Sequence, residues 1–291
     1  MNKIINFLDR YLYIIFPSFA LLVIIGLMIY PMLYSIYLSF HEWQLGALSG
    51  PLFVGFANFN KLFSDSAYIR SLSITFLYSF LCLIIEIPFG MILALILNKS
   101  FKSITWIRNI FLLPILVTPV AISLIWVMMY NPSIGILNYF LRGLGLPPSL
   151  WISSTSTVIP SLVLVDVWKW TPLVALILLG GLKSLPSSPY EAVKIDGATT
   201  FQTFLYITVP LLKPTIMAAL LIRFIDSLKT FAVIYTMTGG GPAQASRTTY
   251  LFAYDTSFKY FRMGYGSAAV MVFFFILLII SFALTKLKKQ T

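Results

Sequence analysis

Six long apolar runs separated by short polar stretches set the rhythm of this 291-residue chain. They fall near 11–39, 71–97, 109–131, 158–181, 211–236 and 263–285. A helix needs roughly 20 apolar residues to cross a bilayer, and each run is long enough. The pattern predicts an all-α polytopic membrane protein with six transmembrane helices in a single membrane domain, 1–291. The connectors 40–70, 132–157 and 237–262 share one side, and 98–108 and 182–210 share the other. Within 132–157, Ile134, Leu137, Phe140, Leu141 and Leu144 recur at helical spacing, with Gly143 and Gly145 closing the run. That predicts a short helix lying on the membrane surface. Breakers recur inside the spans (Pro31, Pro88, Gly90, Pro114, Pro119 and Pro172), which predicts bent, mobile helices. The first run is too long for a signal-peptide core, and no small-residue cleavage site follows it. No internal repeat or low-complexity segment is visible.

Composition agrees with lipid as the solvent. Hydrophobic residues make up 59% of the chain, charged residues 10%, and mean hydropathy is +0.92. Soluble domains carry about 25% charged residues. The net charge of +11 invites a nucleic-acid reading, but its distribution argues otherwise. Lys3, Arg10, Lys99, Lys102, Arg108, Lys183, Lys194, Lys213, Lys286, Lys288 and Lys289 fall on the side of both termini. Lys61, Arg70, Arg142, Arg247, Lys259 and Arg262 are spread over the longer loops opposite. Such a bias places both termini in the cytoplasm and makes the basic excess a topology signal, with no nucleic-acid partner. The single cysteine, Cys82, excludes an intrachain disulfide, and no metal-ligand set is apparent. His41 reads as an interfacial residue.

The loop 182–210 is more than a connector. Ser188-Pro189-Tyr190-Glu191 reads as a capping box with a serine N-cap, proline at the first helical position and glutamate three residues after the cap. Gly197 then supplies the positive φ that ends a helix cheaply. Thr199 with Gln202 offers a second cap, and a further helix runs toward Pro210 and Pro214. Two short capped helices at an angle form a shape suited to a groove in another protein.

The run Glu191-Ala192, then Gly197, then Ile207 and Pro210 resembles the EAA loop of binding-protein-dependent ABC importer permeases. Val193 stands where that family often has a third alanine, and Val209 where it often has leucine. Phe16-Pro17, the series Tyr30-Pro31, Ser35 and Ser39-Phe40, and the segment Phe53-Val54-Gly55-Phe56-Ala57-Asn58-Phe59 resemble the family's first span and outer loop. Thr238-Gly239-Gly240-Gly241-Pro242 is similar to the loop after the fifth span in sugar-transporting members, of the maltose-type and glycerol-phosphate-type first permease. The glycine run lacks the Lys-Ser/Thr of a phosphate-binding P-loop, and no Walker motif occurs in the chain.

The resemblance implies a type I importer permease, not itself an enzyme, in a prokaryotic inner membrane. Segment 187–210 would be its coupling helices, with Glu191, Ala192, Gly197, Ile207 and Pro210 the ATPase-coupling residues. It implies a second, non-identical permease, two ATPase subunits that bind ATP and Mg, and an extracytoplasmic solute-binding protein. The chain itself would hold no cofactor, and its cargo would be a sugar or sugar-like solute.

Apart from Lys213 at the inner edge of the fifth run, six charged residues fall within the predicted spans: Glu86, Asp166, Lys169, Arg223, Asp226 and Lys229. Each costs a few kcal/mol at the bilayer centre, so each should face the bundle interior or water. Asp166, Lys169 and Trp170 share one helix face, as do Arg223, Asp226, Ser227 and Thr230, and Thr75 stacks on Ser79. These residues read either as a polar substrate cavity with an aromatic platform or as intrahelical pairs, Asp166 with Lys169 and Arg223 with Asp226, that hold helices together. The resemblance favours the cavity, because these faces match positions of the maltose-type sugar pocket. Lys229 falls off the main face, and Glu86 is expected to pair elsewhere. The charges argue against a neutral disaccharide and leave room for an acidic or phosphorylated solute. An ion-coupled secondary transporter using Glu86, Asp166 and Lys169 as a relay is the alternative; no Ser/His or metal constellation supports an intramembrane enzyme.

Overall fold

The computed structural model describes residues 11, 17–99 and 104–289. Lys3, Arg10, Phe16 and Lys102, named above, lie outside the described residues, as do 12–16 of the first run and 100–103 of an inner connector. The fold is all-α apart from one two-stranded ladder. In chain order the elements are α1 (Pro17–Ser39), β1 (His41–Glu42), β2 (Leu52–Phe53), α2 (Ala57–Phe63), α3 (Ser66–Asn98), α4 (Ile104–Leu116) and α5 (Pro119–Met129). Then come α6 (Ile136–Gly143), α7 (Val158–Ser184), α8 (Ser188–Ile195), α9 (Thr200–Leu228), α10 (Ala232–Thr238), α11 (Thr249–Tyr254) and α12 (Met263–Lys289).

Among the described residues, α1, α3, α7, α9 and most of α12 are long and apolar enough to cross a membrane. The run 109–131, expected as one span, is two helices bent by 100° that together are long and apolar enough to cross. The cause of the bend is Pro119. Its ring pushes the preceding residue out of the helical region, and Thr118 is extended at φ −62°, ψ 144°. The run 211–236 also differs: α9 begins earlier, at Thr200, and stops at Leu228, so Lys229 and Thr230 lie beyond its end. Proline shapes two other places. In α1 and α9 a wide π-turn (Ile25–Ile29 and Phe204–Thr208) ends one residue before a helical residue that precedes Pro31 and Pro210 respectively. A proline has no N–H to give the carbonyl four residues back, and the N–H before each one reaches five residues back instead.

The contacts divide into two units. One unit comprises the described part of Met1–Asp65 with Ala253–Phe274. Here α1 is exposed from 17 to 34. The strands pair His41 with Phe53, and the Asn58 amide donates to the Ser39 and His41 carbonyls at 3.0 and 2.9 Å. His41 is buried, its Nδ1 2.6 Å from the Tyr37 carbonyl, so it is part of this packing.

The second unit, Ser66–Phe252 with Phe275–Thr291, carries the polar positions of interest. Met91, Ala94 and Leu97 of α3 pack on Val174, Leu178 and Leu182 of α7 and Leu212 of α9. Gly90 permits this approach, because a Cβ there would meet Val174 Cγ1 at 2.5 Å. Small residues at such contacts let membrane helices close to packing distance. A helix is present in the expected stretch near 134–144 as α6, with Tyr139 and Phe140 exposed and Asn138 buried.

Candidate functional site

A polar stripe runs along α3: Thr75, Ser79, Cys82 and Glu86 fall at i, i+4, i+7 and i+11, on one helix face. All four are buried. The stripe meets α7 and α9 at a single guanidinium. Arg223 Nε donates to Glu86 Oε2 at 2.8 Å and its Nη2 to Glu86 Oε1 at 3.0 Å. The same Nη2 donates to Asp166 Oδ2 at 2.8 Å. Exposure of the three side chains is 0% for Glu86, 2% for Asp166 and 1% for Arg223. A planar guanidinium suits this place because its fork matches a carboxylate with two parallel hydrogen bonds and still has donors to spare.

The intrahelical pairs weighed from the sequence, Asp166 with Lys169 and Arg223 with Asp226, are replaced by this three-helix cluster. Asp226 lies near the end of α9 and pairs with Lys229 at 3.3 Å, both about half exposed. That pair sits where water can solvate it, so Arg223 is left for the buried acids. Cys82, Glu86 and Asp166 offer three possible metal-ligand atoms within 4.8 Å of one another. Arg223 already supplies the cation between the two carboxylates, which makes the group an arginine-centred ion cluster.

Trp170 flanks the cluster. Arg223 Cζ lies 4.7 Å and Lys169 Nζ 5.2 Å from its ring centroid. Lys169 is buried, and among the described residues it makes no ion pair within 4 Å. Its ammonium therefore keeps donors open beside an aromatic face. Tyr78 Oη, Ser79 Oγ and Thr171 Oγ1 are also buried without a hydrogen-bond partner. Buried polar atoms are normally satisfied, so each such orphan calls for a guest with hydrogen-bonding groups or for water.

The structure thus brings Asp166, Lys169, Trp170 and Arg223 together, with Ser79 on the same α3 face as Glu86. Thr75 is about 16 Å along α3 from Glu86, where its Oγ1 accepts from the Thr249 N–H at 2.9 Å. Ser227 is buried with its hydroxyl on the Phe224 carbonyl at 3.0 Å, and Thr230 lies past the end of α9. Glu86, Tyr78 and Cys82 were missed as members of this site. Their spacing from Ser79 and Thr75 was the available signal.

The second polar feature is the elbow formed by α8 and the start of α9. The first cap differs from expectation. The helix opens at Ser188 with Ser187 as N-cap, and no side chain caps it. The Tyr190 and Glu191 N–H groups reach the Ser187 carbonyl at 2.9 and 3.1 Å, and Pro189 falls at the second helical position, so Ser188 cannot serve as cap. The helix end is as expected. Gly197 has φ +73°, Ala198 N–H donates to Val193 O and Gly197 N–H to Lys194 O. That is a Schellman ending, which favours glycine because a Cβ strains a positive φ. The second cap is complete: Gln202 N–H donates to Thr199 Oγ1 at 3.3 Å and Thr199 N–H to Gln202 Oε1 at 2.8 Å. Tyr190 Oη donates to Thr208 Oγ1 at 3.1 Å, tying the two helices together. Glu191, Ala192, Gly197 and Pro210 are exposed and Ile207 half-buried. Ile195 at 87% and Phe201 at 71% exposure stand out as unburied apolar side chains at the elbow.

Comparison with known proteins places these features in a family. Residues 86–287 match the family described as binding-protein-dependent transport system inner membrane component. The trehalose/maltose transport system permease protein MalF of Thermococcus litoralis is 36% identical, over 92% of this chain and 90% of that protein. The sulfoquinovosyl glycerol transport system permease protein SmoG of Agrobacterium fabrum is 32% identical over 91% and 86%. The fold matches a subunit in the crystal structure of a bacterial ABC transporter that imports the acidic polysaccharide alginate, with TM-score 0.82 and 21% identity over 99% of both chains. This chain therefore belongs to the family of binding-protein-dependent inner-membrane transport components, the permease subunits of ABC importers.

Proposed function

We propose that this permease passes a sugar or sugar-like solute, delivered by an extracytoplasmic binding protein, along the polar face at Asp166, Lys169, Trp170, Arg223 and Ser79. Ser227, Thr230, Asp226 and Thr75 border that path. The observation that carries the reading is the open ammonium of Lys169 beside Trp170, at the buried cluster of Asp166 and Arg223. A sugar presents hydroxyl acceptors and donors to such groups and a CH face to an indole. The relatives named for trehalose/maltose and for sulfoquinovosyl glycerol support the same class.

The charge ledger refines the solute. Glu86, Asp166, Arg223 and Lys169 sum to zero when all are ionised, and Arg223 is spent on the carboxylates. Lys169, which no carboxylate holds within 4 Å among the described residues, is then the cation that a solute meets. The ion-coupled alternative finds no support, since both acids of its relay are held by Arg223.

The elbow 187–210 is read as the coupling segment of one permease domain, on the cytoplasmic face with both termini. Glu191, Ala192, Gly197, Ile207 and Pro210 set its shape, and Ile195 and Phe201 offer apolar anchors to an ATPase groove. The working assembly then holds a second, non-identical permease and two ATPase subunits that bind ATP and Mg. Uptake by the reconstituted assembly tests the reading. Lys169→Ala and Trp170→Ala should raise the half-saturating sugar concentration while ATPase subunits remain bound; unchanged uptake in both variants would refute the proposed path.

A further inference from the structure

A cavity of about 860 Å³ lies under the elbow, at the junction of the end of α3 with α8 and the start of α9. Its lining mixes three chemistries. Lys99 and Lys194 supply charge, Tyr190 and Thr208 hydroxyls, and Leu95 and Phe204 apolar surface. Among the described residues no carboxylate lines it. Both lysines are exposed, and among the described residues neither has an ion-pair partner. The volume falls within the range of small-molecule sites, about 300–1,000 Å³.

We propose that this cavity holds the phosphate headgroup of an anionic phospholipid of the inner leaflet. The inference rests on the cytoplasmic placement of the elbow given above. Two uncompensated cations with hydroxyl donors suit a phosphodiester, and basic pockets between membrane helices on this side take such headgroups. The apolar lining selects a lipid over free phosphate. Leu95 belongs to the membrane-crossing α3 and Phe204 to the π-turn that leads into the crossing part of α9. The cavity thus offers both charged and apolar wall, as a phospholipid presents both a headgroup and acyl chains. Its wall includes the Tyr190–Thr208 hydrogen bond that joins α8 to α9. A bound headgroup therefore stiffens the elbow where force enters the membrane helices.

Native mass spectrometry of the assembled transporter, released from nanodiscs of phosphatidylcholine with added phosphatidylglycerol, tests the proposal. Wild type should retain phosphatidylglycerol. Lys99→Gln with Lys194→Gln should weaken retention about thirtyfold, and either change alone about fivefold, the factors that one surface attraction per lysine converts to. Lys99→Arg with Lys194→Arg should restore retention, which separates lost charge from lost folding. Equal retention by wild type and the glutamine pair overturns the proposal. Displacement of the lipid by saturating inorganic phosphate overturns the lipid assignment in favour of a free-anion site. Protection of both lysines from acylation by bound ATPase, with no lipid difference, gives the cavity to an acidic segment of that partner. Failure of the transport reading shows separately, as an assembly without binding-protein-stimulated ATP hydrolysis, and leaves the mass readout intact.

Discussion

The ion cluster at Glu86, Asp166 and Arg223 and the elbow at 188–210 are both polar structures in an apolar chain, yet they are held in opposite ways. The cluster draws one residue from each of three helices, separated by as many as 137 positions, and excludes water. The elbow satisfies its backbone within a few residues, through a Schellman ending and a capping box, and stays exposed. A buried charge has no fallback when its partner is removed, whereas an exposed helix end always has water. The cluster should therefore respond to substitution through stability, and the elbow through the transmission of movement.

Breaking the cluster gives the largest expected effect. Arg223→Met leaves two buried carboxylates uncompensated, a loss of about 3–5 kcal/mol, read as a lowered thermal midpoint of the purified assembly. Replacing all three residues (Glu86→Leu, Asp166→Leu, Arg223→Met) should recover most of that stability, because a well-packed apolar set commonly matches a buried ion cluster. Uptake then separates the two roles: it stays lost if these groups line the path and returns if they only join helices.

Gly197→Asp comes next. A side chain at φ +73° costs up to about 1 kcal/mol even for Asp, which enters this region more readily than most, enough to depopulate the elbow's shape about fivefold. Binding-protein-stimulated ATP hydrolysis and uptake should fall together while the protein remains in the membrane. Normal coupling in that variant would remove the distinction between the two regions.

Lys169→Ala is expected to be milder than Arg223→Met, since an ammonium over an indole contributes about 0.5–2 kcal/mol. It should appear as weaker solute affinity with the thermal midpoint nearly unchanged, unlike Arg223→Met. The smallest effects belong to the caps. Thr199→Ala should cost about 1 kcal/mol of local helix stability, visible as faster amide exchange at 200–203. Ser188→Ala should cost nearly nothing, because its hydroxyl caps no helix.

Much of this architecture is legible in the chain. The apolar runs mark the spans, and the positions of Gly197, Thr199 and Gln202 mark the elbow. The misreadings share a cause. At Ser188 a plausible motif was in the wrong frame by one residue, because Ser187 offered a backbone carbonyl that closes the turn. At 109–131 the prolines announced a bend, but its size came from the extended Thr118 before Pro119, which no spacing encodes. The cluster was only half visible: each helix face could be drawn, but Glu86 was left without a partner.

By itself, then, the sequence determined the solvent, the number of apolar runs, the charge bias along the chain and the second cap of the elbow, because hydropathy and capping act between near neighbours. Only the tertiary structure decided that Arg223 joins Glu86 and Asp166, that Asp226 turns to Lys229, and that Lys169 is left with open donors. An arginine's choice among several acids depends on which of them folding has stripped of water and carried within 3 Å, and no local spacing encodes that.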